Sequence, residues 1–130
     1  MARRRATRPT DAELDILRVL WDRGPSTVRE VHDILSTHRD FAYTTTLKLL
    51  QLMTEKGVTF RQEEGRIHKY RAAVARQETQ QHLVRDLLDR AFGGSSAQLV
   101  VQALAAKPAS DSELREIRRL LAEYEEKHRG

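Results

Sequence analysis

The 130-residue chain contains no cysteine. This absence excludes a disulfide framework, a thiolate metal site and a cysteine nucleophile. The histidines are scattered, and no two of them have the HxxxH or HExxH spacing that brings metal ligands together, so we expect no metal site. The sequence also shows no nucleophile–base pair, no phosphate-binding loop and no convergent carboxylate pair. We therefore expect no enzyme and no cofactor.

Long apolar runs are absent as well. No segment reaches the roughly 18 consecutive apolar residues that a membrane-spanning helix needs. The basic start of the chain, MARRRATRP, leads into polar sequence and not into the apolar segment of a signal peptide. These two absences predict a soluble, cytoplasmic protein without membrane insertion.

The positive charge is concentrated in one half of the chain. The formal net charge is +4, and residues 1–72 hold 14 Lys and Arg against 10 Asp and Glu, whereas residues 73–130 hold 9 against 9. All of the excess therefore lies in the N-terminal part. A one-sided basic balance of this kind suits a polyanionic partner.

Three helices are predicted in the basic half. Thr10 and Glu13 form a capping box that begins the first helix, which ends at Gly24-Pro25. Ser26 or Thr27 caps a second helix, and Gly57 ends a third. The apolar positions of the first two helices repeat at helical spacing and are expected to be buried: Leu14, Leu17, Leu20, Trp21, Val28, Val31 and Leu35.

The third helix, YTTTLKLLQLMTEKG from Tyr43 to Gly57, has two distinct faces. At about 100° per residue, one side carries the residues expected in the core, namely Thr46, Leu49, Leu50 and Met53. The opposite side carries Thr44, Lys48, Gln51 and Glu55, with Thr45 beside them. Hydroxyl, amide and ammonium groups can approach a phosphate or the edge of a base. Any exposed helix has a polar face, however, so this stripe alone does not decide between a binding surface and a solvated one.

A basic β-hairpin is predicted after the third helix, in VTFRQEEGRIHKYRA. Two alternating runs flank Gly65, which supplies the positive φ of a tight turn. A lone hairpin is marginal in water, so this one is expected to pack on the helices through Val58, Phe60 and Tyr70. The hairpin carries five basic or titratable side chains: Arg61, Arg66, His68, Lys69 and Arg71. Three helices followed by a basic hairpin predict a mainly α fold with a small β-hairpin wing, a winged helix-turn-helix.

The rest of the chain is predicted to be helical, with one apolar face per helix. These helices hold too few residues to bury a core of their own, so they either fold back on the winged helix or pack on a second chain. We favour a second chain because DNA-reading modules of this size usually bind as two-fold dimers. The predicted dimer residues are Leu83, Leu87, Leu88, Leu114, Ile117, Leu121 and Tyr124. The predicted organisation is a flexible basic arm (1–9), a winged-helix DNA-binding domain (10–73) and a helical dimerisation region (74–130).

From Leu14 to about Glu126 the sequence resembles the BlaI/MecI-type penicillinase repressors, a family of winged-helix transcriptional repressors. No single motif is specific, but their order and spacing together are. The motifs are LDIL with LW (14–17, 20–21), TVREV (27–31), YTTT (43–46), LMTEKG (52–57), GR ahead of Tyr70 (65–66), and FGG ahead of LV (92–94, 99–100).

The resemblance implies a homodimeric repressor that binds an inverted-repeat DNA operator with TACA/TGTA-like half-sites. Its target is expected to be a β-lactamase gene or another cell-wall or antibiotic-response gene. The family's base-reading positions correspond here to Thr44, Thr45 and Lys48. Together with the neighbouring stripe and the hairpin, the predicted DNA-binding residues are Thr44, Thr45, Lys48, Gln51, Arg61, Arg66, His68 and Lys69.

The resemblance also implies a route of release. In some members a membrane metalloprotease sensor cuts the repressor at an Asn-Phe pair in the helix after the Gly-Gly. The matching residues here are Gln102 and Ala103, which depart from that pattern.

Two questions stay open at the level of sequence. Arg3, Arg4, Arg5 and Arg8 suit either a minor-groove arm or a solubilising tail. The alternative to a repressor is a winged-helix protein-interaction module whose basic hairpin binds an acidic partner. Salt-sensitive binding to duplex DNA carrying a dyad, without binding to an acidic protein, would distinguish the two functions.

Overall fold

The structure, a computed structural model, describes residues 8–129. Its elements in chain order are α1 (Asp11–Arg23), α2 (Val28–Leu35), α3 (Tyr43–Glu55), β1 (Thr59–Glu64), β2 (Ile67–Ala72), α4 (Arg76–Ala91), α5 (Ser96–Ala106) and α6 (Asp111–Lys127). The predicted fold class, mainly helical with one antiparallel hairpin, is confirmed. Arg3, Arg4 and Arg5 lie outside the described residues, so the role of the basic arm stays a prediction.

The first two helices begin at reciprocal capping boxes. Thr10 accepts a hydrogen bond from the Glu13 amide while Glu13 accepts one from the Thr10 amide, and Thr27 and Glu30 do the same for α2. The second cap is therefore Thr27 and not Ser26. Each box satisfies two of the amides that a helix start leaves without partners, which fixes where α1 and α2 begin.

The chain divides into two compact units, Met1–Val84 and Arg85–Gly130, and the division falls within α4. The boundary that the sequence suggests after residue 73 stays a prediction about which part folds independently.

The core of the first unit lies between α1, α2, α3 and the hairpin. Leu14 and Trp21 are only partly buried, whereas Val19, which the pattern did not single out, is buried. The buried apolar residues are Ile16, Leu17, Val19 and Leu20 of α1, Val28, Val31 and Leu35 of α2, Leu50 and Met53 of α3, and Tyr70 of β2. This core fixes α3 against the other elements.

The hairpin packs on the helices through two of the three predicted residues, Val58 and Tyr70, and through Thr59, which was not predicted. Strands β1 and β2 pair in antiparallel register from Thr59↔Ala72 to Glu64↔Ile67. Thr59 is 1% exposed and its hydroxyl lies 2.9 Å from that of Thr54, so alternation along the strand turns Phe60 outward, where it is 44% exposed. The prediction that Phe60 packs on the helices was wrong, whereas Tyr70 is buried as expected.

The turn between α1 and α2 forms an isolated antiparallel β-bridge with β2, between Ser26 and Tyr70. The Ser26 amide donates to the Tyr70 carbonyl at 3.0 Å, and the Tyr70 amide donates to the Ser26 carbonyl at 2.7 Å. The Trp21 indole Nε1 donates to the Val74 carbonyl at 3.0 Å, just after β2. These bonds attach the hairpin to the helices. They stabilise a two-stranded sheet that would be only marginally stable in isolation.

The second unit has no buried residue among its described positions, 85–129. Its large hydrophobic side chains are instead exposed or partly exposed along α4, α5 and α6. The most exposed are Leu87, Val100, Val101, Leu120, Leu121 and Tyr124. None of the helices described is both long and apolar enough to cross a membrane.

Candidate nucleic-acid interface

Helix α3 is held rigidly by its inner face. Leu50 and Met53 are fully buried in the core, and so is Thr46, as the helical pattern predicts. The Thr46 hydroxyl lies 3.0 Å from Nδ1 of His32 on α2. A polar group in the core needs such a partner, so Thr46 joins α2 to α3 and is not available for binding.

The outer face of α3 brings four of the predicted site residues together. Thr44, Thr45, Lys48 and Gln51 are exposed, and together with Leu47 they line one shallow, open depression. The depression is a surface on which hydroxyl, amide, ammonium and one apolar group are held side by side by a rigid helix. Such a set can donate hydrogen bonds to phosphate oxygens or base edges.

Lys48 carries the only formal charge in this depression. Within residues 8–129 its ammonium group has no ion-pair partner. An unpaired, exposed lysine keeps its full attraction for an anionic ligand, because no neighbouring carboxylate has to be displaced first.

The start of α3 differs from that of α1, α2, α5 and α6. Its N-cap is Ala42, which offers no side-chain hydrogen bond, whereas the other four helices have a Thr or Ser cap. The amides of Tyr43 and Thr44 therefore have no side-chain cap, whereas that of Thr45 donates to the Ala42 carbonyl at 3.0 Å. Such amides and the positive end of the helix dipole favour a phosphate oxygen near Thr44.

Three residues beside this helix start were missed by the sequence reasoning. The Arg29 guanidinium lies over the Tyr43 ring, 4.4 Å from its centroid, and the His32 ring meets the same ring edge-on at 5.6 Å. Arg29 and His32 are three residues apart on α2, so they project on the same side of that helix. Their spacing could have shown that they lie on one side of α2. It could not have shown that this side contacts Tyr43 of α3, because that contact depends on how the two helices pack.

The two ends of α3 are anchored to α1 by ion pairs. At its C-terminal end, Lys56 Nζ lies 2.6 Å from Oε2 of the buried Glu13. Before its N-terminal end, Arg39 pairs with Asp15, and His38 Nε2 lies 3.7 Å from the same carboxylate. These contacts fix the direction in which the outer face of α3 points.

Burial by itself would raise the pKa of Glu13. The hydrogen bond from Lys56 and the bond from the Thr10 amide outweigh it, so the pKa of this carboxyl lies below its ordinary value. Glu13 is therefore ionised at neutral pH and serves both as a helix cap and as an ion-pair partner.

The hairpin cations form a second group, distinct from the α3 set, and they differ in availability. His68 Nε2 lies 3.2 Å from Glu63, and Lys69 Nζ lies 3.5 Å from Glu64, so both face a neighbouring carboxylate. Arg61 and Arg66 have no ion-pair partner in the described part of the chain. Arg71, by contrast, lies over the exposed Phe60 ring at 5.8 Å. Among the hairpin residues, Arg61 and Arg66 are thus the freest to meet an anion.

The register places the hairpin residues on different sides. Arg61 pairs with Tyr70, and Glu63 pairs with His68, so Arg61 and His68 share one face of the ribbon. Lys69 lies on the opposite face, with Phe60 and Arg71. Arg66 lies in the two-residue turn after Gly65, whose φ of 65° is the conformation that glycine adopts without strain.

The remaining predicted positions lie in the second half of the chain. Gln102 and Ala103 are exposed residues within α5. Leu87, Leu121 and Tyr124 are exposed, and Leu83, Leu88, Leu114 and Ile117 are partly buried. Within residues 8–129 no group of three or more His, Cys, Asp or Glu side chains is placed to hold a metal ion.

Comparisons with known proteins match nearly the whole chain. The family model described as "Penicillinase repressor" matches residues 9–123. The "Transcriptional regulator BlaI" of Mycobacterium tuberculosis is 36% identical over 123 residues, which is 94% of this chain and 88% of that protein. The "Penicillinase repressor" of Bacillus licheniformis is 24% identical over 115 residues, which is 88% of this chain and 90% of that protein.

Among solved structures, the chain is similar to a MarR family protein from Bacillus stearothermophilus. The TM-score is 0.52 at 20% sequence identity, over 92% of this chain and 74% of that one. A likeness at this identity concerns the fold alone.

Proposed function

Because the chain belongs to the penicillinase repressor family, we propose that it is a DNA-binding transcriptional repressor. Its relatives are named as transcriptional regulators and repressors. In the proposed function, α3 lies in the major groove of an operator and the hairpin lies against the adjacent backbone as a wing.

The outer face of α3 is the observation that carries this proposal. Thr44, Thr45, Lys48 and Gln51 line one depression on a helix whose inner face is locked in the core. A major groove about 12 Å wide admits one α-helix, and side chains that project from its outer face reach the base edges. The uncapped start of α3 suits a backbone phosphate, which would set the depth of the helix in the groove.

Tyr43 and Arg29 extend the same surface towards the DNA backbone. The guanidinium of Arg29 lies over an exposed aromatic ring at the start of α3, where a phosphate bound by the helix start would also lie. In the hairpin, Arg61 and Arg66 have no ion-pair partner among residues 8–129, and they are proposed to supply the contacts of the wing. Phosphate contacts of this kind position the protein, whereas the α3 side chains provide sequence recognition.

The helices of the second unit are proposed to form a homodimer interface. None of residues 85–129 is fully buried within the chain, and α4, α5 and α6 expose Leu87, Val101 and Leu121. Contiguous apolar faces of this kind mark interaction surfaces. A two-fold dimer would present two copies of α3 to an inverted-repeat operator.

Release from DNA is proposed to follow cleavage at Gln102-Ala103. Two half-sites held by one dimer gain effective concentration, on the order of 10² or more in affinity, which cutting the chain would remove. Both residues lie inside α5, and a scissile bond must leave the helix to enter a protease site, so α5 would have to open locally.

Mass spectrometry of the protein from cells treated with a cell-wall antibiotic tests the cleavage step. A fragment ending at Gln102 is expected when the target gene is expressed. Derepression with only the full-length chain present would contradict cleavage. The regulated gene is proposed to be a β-lactamase gene or another cell-wall or antibiotic-response gene, since relatives are named for penicillinase repression and methicillin resistance.

Selection of bound fragments from genomic DNA tests the proposed function as a whole. Recovery of a shared sequence with dyad symmetry is expected, with an affinity that falls as salt rises, because phosphate contacts release counterions. An acidic protein offered at the same concentration should not bind. Binding to the acidic protein without any enriched DNA sequence would instead support an interaction module.

A further inference from the structure

Leu47 is an apolar residue in the middle of a polar binding surface. It lines the outer depression of α3 together with Thr44, Thr45, Lys48 and Gln51. It is only partly buried, because one part of its side chain packs against the core while the rest forms the wall of the depression. The function proposed above uses the four polar neighbours and leaves this side chain without a role.

The other leucines of α3 do not share this placement. Leu50 is fully buried, and Leu52, although 43% exposed, does not line the depression. On a helix with about 100° per residue, Leu47 lies about 60° from Thr44, towards the core, and one turn before Gln51. A groove-bound ligand that meets Thr44 and Lys48 would therefore also meet the outer edge of Leu47.

We propose that Leu47 is a specificity-determining residue that recognises the 5-methyl group of a thymine. The inference rests on the proposed DNA-binding function and deepens it. Among the base edges of the major groove, thymine alone presents a methyl group, and apolar side chains recognise it by direct contact. Cytosine and uracil at the same position leave the leucine facing either a polar edge or an empty space.

The contact with the core makes Leu47 suitable for this role. A side chain already held on one side by the core loses little rotamer freedom when it binds. A methyl group buried against it gains the free energy of one buried CH₂-sized group, which corresponds to roughly fourfold in affinity. Leu47 thus adds discrimination at one base pair without adding charge.

Replacement of thymine by deoxyuridine tests the contact at the level of one methyl group. The probe is the duplex recovered from the genomic selection, with the thymines of one half-site replaced one at a time. Wild-type protein is expected to lose roughly fourfold in affinity at one thymine. Leu47→Ala is expected to bind the thymine and deoxyuridine duplexes equally at that position.

Comparing the two duplexes within each variant cancels any change in the folded fraction. Leu52→Ala is the matched control, a leucine removed from the same helix outside the depression, and it should keep the wild-type loss. Leu47→Gln, which keeps the length of the side chain, serves if Leu47→Ala does not fold. The inference is overturned if no deoxyuridine weakens wild-type binding, or if the loss persists in both Leu47 variants. If the selection yields no duplex at all, the proposed function fails instead.

Discussion

Glu13 shows how a single residue helps to fix the orientation of α3. Its carboxylate accepts from the Thr10 amide at the start of α1 and from Lys56 at the end of α3. The Glu13 side chain is 8% exposed and that of Lys56 is 47% exposed. Replacing the carboxylate with an amide keeps an acceptor for the Thr10 amide but removes the charged acceptor of Lys56. The capping role is readable from the spacing of Thr10 and Glu13, but the partnership with Lys56 joins residues 43 positions apart and is not.

Glu13→Gln is therefore expected to lower the free energy of unfolding at neutral pH by about 2 kcal/mol. The pKa of Glu13 lies below its ordinary value of 4.5, so its contribution is present above about pH 4.5 and is lost as the pH falls through the lowered pKa. Urea unfolding at pH 7 and at about pH 3 measures the difference between wild type and variant, which should shrink in acid.

Glu55→Gln is the matched control, because it removes one exposed carboxylate from α3 without touching the pair with Lys56. This control is expected to unfold like wild type at both pH values. An equal loss in the two variants, or a Glu13→Gln deficit that does not depend on pH, would show that the ion pair does not hold α3.

At the scale of the elements, the hairpin packs through β2 and the first residue of β1. Tyr70 is 3% exposed and its backbone bonds to Ser26, whereas Phe60 points outward beneath Arg71. Tyr70→Ala should lower the free energy of unfolding by about 3 kcal/mol or more, as for other buried aromatic residues. Phe60→Ala should change it by no more than about 1 kcal/mol. Thermal or urea unfolding compares the two variants directly, and the reverse order would contradict the observed register.

The elements themselves could be predicted from the sequence because local rules determine them. Capping boxes begin α1 and α2, Gly57 follows the end of α3, and Gly65 provides the tight turn of the hairpin. The side of the hairpin on which Phe60 lies could not be predicted, because an alternating strand can bury either its odd or its even positions. Thr59 decides which face of β1 is buried. Its hydroxyl lies 2.9 Å from that of Thr54 and donates to the Leu50 carbonyl at 3.5 Å.

The sequence predicted the part of the candidate site that lies on α3 alone. It did not predict the part that α2 and α3 form together. Helical periodicity placed Thr44, Lys48 and Gln51 on one exposed face, and the structure has them there. The contact of Tyr43 with Arg29 and His32 depends on how α2 packs against α3, and single-element periodicity does not contain that information. Leu47 lies between the buried and the exposed faces of α3, and only the shape of the depression gives it a role.

At the scale of the whole molecule, the proposed dimer depends on the apolar face of α6. Leu121 is 56% exposed, and Leu114, Ile117 and Tyr124 lie on the same side of the helix at i, i+3, i+7 and i+10 spacing. Leu121→Asp would place an unpaired charge in the interface, at a cost of several kcal/mol. Sedimentation velocity is expected to show a monomer for this variant.

Ala122→Asp adds the same charge to α6 outside this face and is expected to leave the dimer intact. A dimer that persists in Leu121→Asp, or dissociates equally in Ala122→Asp, would place the interface elsewhere.

One titration tests the claim that the outer face of α3 binds DNA. The affinity of wild type, Lys48→Ala and Lys107→Ala is measured for the selected duplex and for a scrambled duplex, across a range of salt. Lys107 is an exposed cation at the end of α5 and controls for the loss of one charge. Lys48→Ala should lower the ratio of specific to scrambled affinity and reduce the salt slope by about one unit, while Lys107→Ala leaves both unchanged. An unchanged ratio and slope in Lys48→Ala would contradict the claim.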